Sequence, residues 1–129
     1  MDCSACETPL VAFEVPPALR EHAPGEGAAA GICPNCLRTE AVPETELTDA
    51  AFSRVSPAMP TGEAGAGLAL ALGLLDSLAL DRAAVVACCE FVERAGGDPL
   101  LTLDRLADDP DLDPHVDLDR RRTQLRSLL

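Results

Sequence analysis

Two Cys-x-x-Cys pairs, Cys3-Ser4-Ala5-Cys6 and Cys33-Pro34-Asn35-Cys36, constrain this chain more than any other feature. Each has the spacing of a knuckle whose two thiolates reach one tetrahedral ion, and the residues between the pairs are numerous enough to form a hairpin that returns the second knuckle to the first. Four thiolates at about 2.3 Å would close the shell around zinc and leave no position for water or substrate, which is the signature of structure rather than catalysis. Iron satisfies the same ligands. A thiol–disulfide reading would need a Cys-x-x-Cys at a helix start in a βαβ setting, and neither pair has that context.

The rest of the composition explains why a metal is needed. Among 129 residues there is no Trp or Tyr, and Phe13, Phe52 and Phe91 are the only large rings. A core of Leu, Val and Ala is thin, and a unit of roughly 40 to 60 residues built from it usually requires a metal or disulfides. The chain opens on an acid and a Cys pair rather than a basic and apolar leader, and its longest apolar run, Ala64 to Leu75, is short of the roughly 18 to 20 residues a spanning helix needs. A cytoplasmic protein with no membrane contact is expected, and there paired cysteines read as ligands before disulfides.

Residues 1–42 read as a zinc ribbon, 43–61 as a connector and 62–129 as a helical module, giving an α+β fold with a short antiparallel sheet followed by a small bundle of about four helices. Leu10 to Val15 has strand character and ends at Pro16 and Pro17. Ala18 to His22 suits one helical turn, Ala28 to Ile32 a returning strand, and residues 38–42 a third. Thr48 to Val55 suits a short helix. From Gly62 to Leu80 the leucines cover every side of a helix, which must be buried by its neighbours or by another subunit. A second helix is expected over Arg82 to Ala95, with Val85, Cys89 and Val92 on one face and Gly96 or Gly97 as its stop. Asp98 with Pro99 starts a third helix, and Asp117 caps a last one bearing Arg120, Arg121, Arg122 and Arg126.

The remaining candidates have structural readings. His22 and His115, the only histidines, are expected on the surface or in loops, since four better ligands exist. Vicinal Cys88 and Cys89 read as small core hydrophobes rather than a redox pair. The Arg run suits phosphate contact, but Asp117 and Asp119 flank it and a helix C-terminal region favours Arg in any case. The net charge is −12, and all ten basic residues are Arg. An acidic, Lys-free, Ala-rich chain is expected of a protein kept soluble in concentrated salt.

The order of an N-terminal Cys-x-x-Cys, a central Cys-Pro-x-Cys, Gly62-Glu63-Ala64-Gly65 entering a Leu-rich helix, Asp98-Pro99-Leu100-Leu101 and Asp104 to Pro110 resembles a family of small halophilic archaeal proteins of unknown function. It is also similar to small zinc finger proteins with a Cys-Pro-x-Cys-Gly knuckle, whose ligands match Cys3, Cys6, Cys33 and Cys36. Glu7 and Leu37 stand where glycine often follows the second Cys, so the backbone there needs a strained turn or a different one. The expected role is a non-enzymatic zinc-binding module for protein–protein interaction, with itself or another protein, or for regulation. The alternative is a nucleic-acid-associated regulator of transcription type. Loss of metal is expected to unfold the ribbon, and the helical part is able to survive it.

Overall fold

A computed structural model describes residues 1–129. Three strands form one antiparallel sheet in the order β1 (Val11–Glu14), β2 (Ala29–Ile32), β3 (Thr39–Ala41). Four helices follow: α1 (Gly62–Leu74), α2 (Arg82–Arg94), α3 (Pro99–Ala107) and α4 (Leu118–Arg126). The expected α+β architecture, a small sheet followed by four helices, is what forms.

Register decides which face of the sheet meets the helices. Val11 pairs with Ile32 and Phe13 with Ala30, so these four side chains share one face. They enter a core of 28 buried residues that also holds Leu68, Leu70 and Leu72 of α1, Val85 and Val92 of α2, Leu103 and Leu106 of α3, and Leu118 and Leu125 of α4. The segment between Pro16 and β2 is a 3-10 stretch, Pro17–His22, whose Leu19 joins the same core. The core thus runs from the sheet to the last helix, while Cys3, Cys33 and Cys36 pack with Leu10, Ala29 and Val42 in a second, smaller cluster of six buried residues.

α1 is the hub. Every residue from Ala64 to Leu72 is buried, as its all-round apolar sequence requires, and the neighbours that cover it belong to this chain. Small residues admit those neighbours. A Cβ at Gly65 would strike the Pro60 carbonyl oxygen and the Phe52 ring, and one at Gly73 would strike the Thr39 hydroxyl, which donates to the Ala69 carbonyl at 2.8 Å.

Two expectations need correction. The helix read over Gly62 to Leu80 ends at Leu74 and passes into a 3-10 turn, Leu75–Ser77, leaving Leu80 89% exposed. Leu75 and Leu78 still reach the core from that turn, which is why their hydrophobicity mimicked a longer helix. The Thr48 to Val55 helix shrinks to one turn, Phe52–Arg54, because Phe52 and Val55 are drawn into the core and Phe52 packs on Phe13 with centroids 5.7 Å apart.

Helix ends follow their caps. Asp98 accepts from the Leu101 amide and Asp117 from the Arg120 amide, while Gly96 adopts a φ of 94° just past α2. Ser56, buried in the connector, donates to Asp109 at 2.8 Å and ties that segment to the end of α3.

In an exposed helix, glycine-to-alanine exchange usually stabilises by about 1 kcal/mol. Gly65→Ala should do the opposite and cost about 1–3 kcal/mol through overpacking against backbone and ring. Denaturant titration of the two proteins checks the sign.

Candidate metal centre

The first knuckle precedes β1 and the second joins β2 to β3, so antiparallel pairing places both at the same end of the sheet. The two have the same internal wiring. The Glu7 amide donates to the Cys3 carbonyl at 2.8 Å and the Leu37 amide to the Cys33 carbonyl at 3.1 Å. The Cys3 amide donates to the Thr8 carbonyl, and the Cys33 amide to the Arg38 carbonyl, both at 2.8 Å. Closing such a turn requires a left-handed residue after the second cysteine, and Glu7 and Leu37 supply it at φ 59° and 66°. The turn that glycine often makes is thus made here by two side-chain-bearing residues, at a conformational cost of about 1–2 kcal/mol each.

Cys3, Cys6, Cys33 and Cys36 converge. All four Sγ atoms lie within 4.8 Å of one another, and Cys3 Sγ is 3.7 Å from Cys36 Sγ. Four sulfurs about 2.3 Å from a central ion sit about 3.8 Å apart at the corners of a tetrahedron. The cluster has that scale, and all its cysteines are free thiols. Its donor set therefore fits a metal ion.

The surroundings act on the sulfurs in opposite directions. Amides of Asn35 and Cys36 each donate to Cys33 Sγ at 3.4 Å, and Asn35 Nδ2 donates to Cys6 Sγ at 3.4 Å, linking the knuckles. That side-chain bond holds the Cys6 thiol below its ordinary pKa. Burial acts the other way on Cys33, pushing it up, and on Cys36, pushed up to about 12. Arg38 lies beside Cys36, whose thiolate in turn raises the Arg38 pKa. A guanidinium there offsets part of the negative charge that four thiolates bring to one ion.

Each knuckle is also anchored from outside. Glu40 of β3 accepts from the Ser4 amide at 2.8 Å and from its hydroxyl at 3.0 Å. The loop before α4 grips the second knuckle: the Asp113 amide donates to the Asn35 carbonyl and the His115 amide to the Cys36 carbonyl, both at 2.8 Å. His115 Nε2 donates onward to the Leu72 carbonyl of α1 at 3.1 Å, which fixes the ring proton on that nitrogen.

His115 is thus a half-buried clamp between knuckle and hub helix rather than a bystander. Together with Asn35, Arg38 and Glu40, it escaped the reading of the sequence, where only the x of Cys-x-x-Cys and the knuckle's trailing polar residues hint at such roles. His22 stands apart, beside Glu21 at 3.7 Å. Cys88 and Cys89 are fully buried in the main core, each pushed up to about 12 by burial, as expected of small hydrophobes. Of the Arg run, Arg122 lies 3.7 Å from Asp104 and donates to the Leu100 carbonyl, and Arg121 donates to Gln124, leaving Arg120 and Arg126 exposed. No helix is long and apolar enough to cross a membrane.

Residues 2–129 match a family described as a family of unknown function (DUF6276). The chain belongs to that family. No curated protein and no solved structure matches it. In this DUF6276 chain the family match spans the cysteine cluster and the helices alike, in keeping with the hydrogen bonds that join them.

The two left-handed positions are not equivalent. Glu7 is exposed, whereas Leu37 is fully buried in the main core. With the metal complement held constant, Glu7→Gly should stabilise by about 0.5–1 kcal/mol by relieving the strained φ. Leu37→Gly relieves the same strain but removes a core side chain, and should destabilise by about 2–4 kcal/mol. Paired denaturant melts check the opposite signs.

Proposed function

We propose that this chain is a small non-enzymatic zinc-binding protein in which Cys3, Cys6, Cys33 and Cys36 hold one structural zinc ion. The folded whole then serves as a protein–protein interaction or regulatory module. The observation that carries the reading is the set of four thiols within ligand distance of one another, wired by matched knuckles. Zinc suits it because a tetrahedral thiolate shell imposes no electronic strain on a filled-shell ion. Free thiols in every cysteine suit a reducing cytoplasm. The acidic, Lys-free composition suits concentrated salt of the kind halophilic archaea contain.

A structural role is supported by what surrounds the cluster. A cleft of about 430 Å³ lies elsewhere, between β1, the connector and the start of α1, and neither it nor any other cleft of the chain is lined by Cys or His. Two of the four arginines of α4 are engaged within the chain, which weakens that helix as a phosphate-binding stripe.

Elemental analysis and native mass spectrometry of protein purified in high salt test the proposal. One zinc per chain is expected, lost in Cys33→Ser and retained in Cys88→Ala. Iron in place of zinc would overturn the choice of metal, and a metal-free mass lowered by two protons per Cys pair would overturn the site itself.

A further inference from the structure

The apolar surface that the fold leaves uncovered is not on α1 but on the outward side of α2. Val85, Cys88, Cys89 and Val92 turn inward, and the opposite side carries Ala83, Val86, Ala87 and Glu90. Together with Ala79, Leu80, Arg82 and Leu128 these residues line a shallow, mostly apolar groove. Leu80 is the most exposed large hydrophobic residue of the chain.

The charges on this groove are arranged about a centre. Arg82 lies four residues before Val86 and Glu90 four residues after it, so all three stack along one helix face a turn apart. Neither Arg82 nor Glu90 makes an ion pair or side-chain hydrogen bond within the chain. Two α2 helices crossing antiparallel about a two-fold axis at Val86 would set Arg82 of each copy against Glu90 of the other. The face is therefore complementary in charge to itself, and to itself only in the antiparallel sense. Alanines at 83 and 87 allow the helices to approach to the usual 8–10 Å.

We propose that the outer face of α2, extended by Leu80 and Leu128, is an isologous interface and that its occupant is a second copy of this chain. This deepens the interaction-module reading, on which it rests, by naming the partner, and it is independent of which metal the cysteines hold. Val86 meets its own counterpart at the axis, two reciprocal Arg82–Glu90 pairs flank it, and the Leu80 side chains cover the ends of the groove. The closed symmetry limits assembly to a dimer.

Charge reversal tests the register. The native protein should be dimeric in sedimentation equilibrium, while Arg82→Glu and Glu90→Arg each place like charges together twice and should weaken self-association by about tenfold or more. Mixing the two variants should restore a dimer containing one of each, since every pair is then complementary. Metal content and circular dichroism of each variant should equal those of the native protein. A monomeric native protein with its full metal content would overturn the interface while leaving the metal reading intact. So would a dimer indifferent to both reversals, or variants that fail to pair on mixing. A dimer obeying the charge rules but carrying no metal would do the reverse.

Discussion

The backbone at Leu37 is left-handed, and that one conformation serves two structures. It closes the second knuckle, so that Cys33 and Cys36 present their sulfurs to Cys3 and Cys6. It also places the Leu37 side chain in the main core, which holds Ile32 and the α1 leucines as well. Glycine would make the turn with less strain and leave the core one side chain short. The strain tolerated here is thus offset by burial, and this residue belongs at once to the metal site and to the core that the helices fill.

Further ties reinforce that coupling. Thr39, just beyond the second knuckle, bonds to the α1 backbone, and the Asp113–His115 loop bonds to the same knuckle and, through the imidazole, to Leu72. A chain with only three aromatic residues has little apolar bulk with which to stabilise a fold. Structural zinc contributes on the order of 10 kcal/mol in small folds. Delivered by the proposed zinc to knuckles tied to β3, α1 and the 113–115 loop, such a contribution would act on the whole chain and not on the sheet alone.

The parts of this arrangement legible in the sequence are those written in local signals. The Cys pairs, the strand ended by Pro16 and Pro17, the Asp98 and Asp117 caps and the Gly96 stop all depend on neighbours within a few residues. The end of α1 was not legible, because a helix apolar on every side has no phase to show where it stops, and Leu75 and Leu78 go on filling the core from a turn. The anchoring of the second knuckle by Asp113 and His115 joins residues distant in sequence through backbone amides, which any residue type supplies. Glu7 and Leu37 marked a departure from the usual knuckle in the sequence. That the departure keeps the turn and changes what fills it became visible only with the backbone angles and the burial of Leu37.

The coupling of the cluster to the helices is tested most directly by following helical circular dichroism during denaturant unfolding, with the bound metal present and after its removal by a chelator. Coupling through Leu37, Thr39 and the 113–115 loop predicts one cooperative transition in each case, with the helical signal losing several kcal/mol of stability when the metal is removed. A helical transition whose midpoint is unmoved by the chelator, with only the sheet region lost, would contradict the account and make the helices an independent unit.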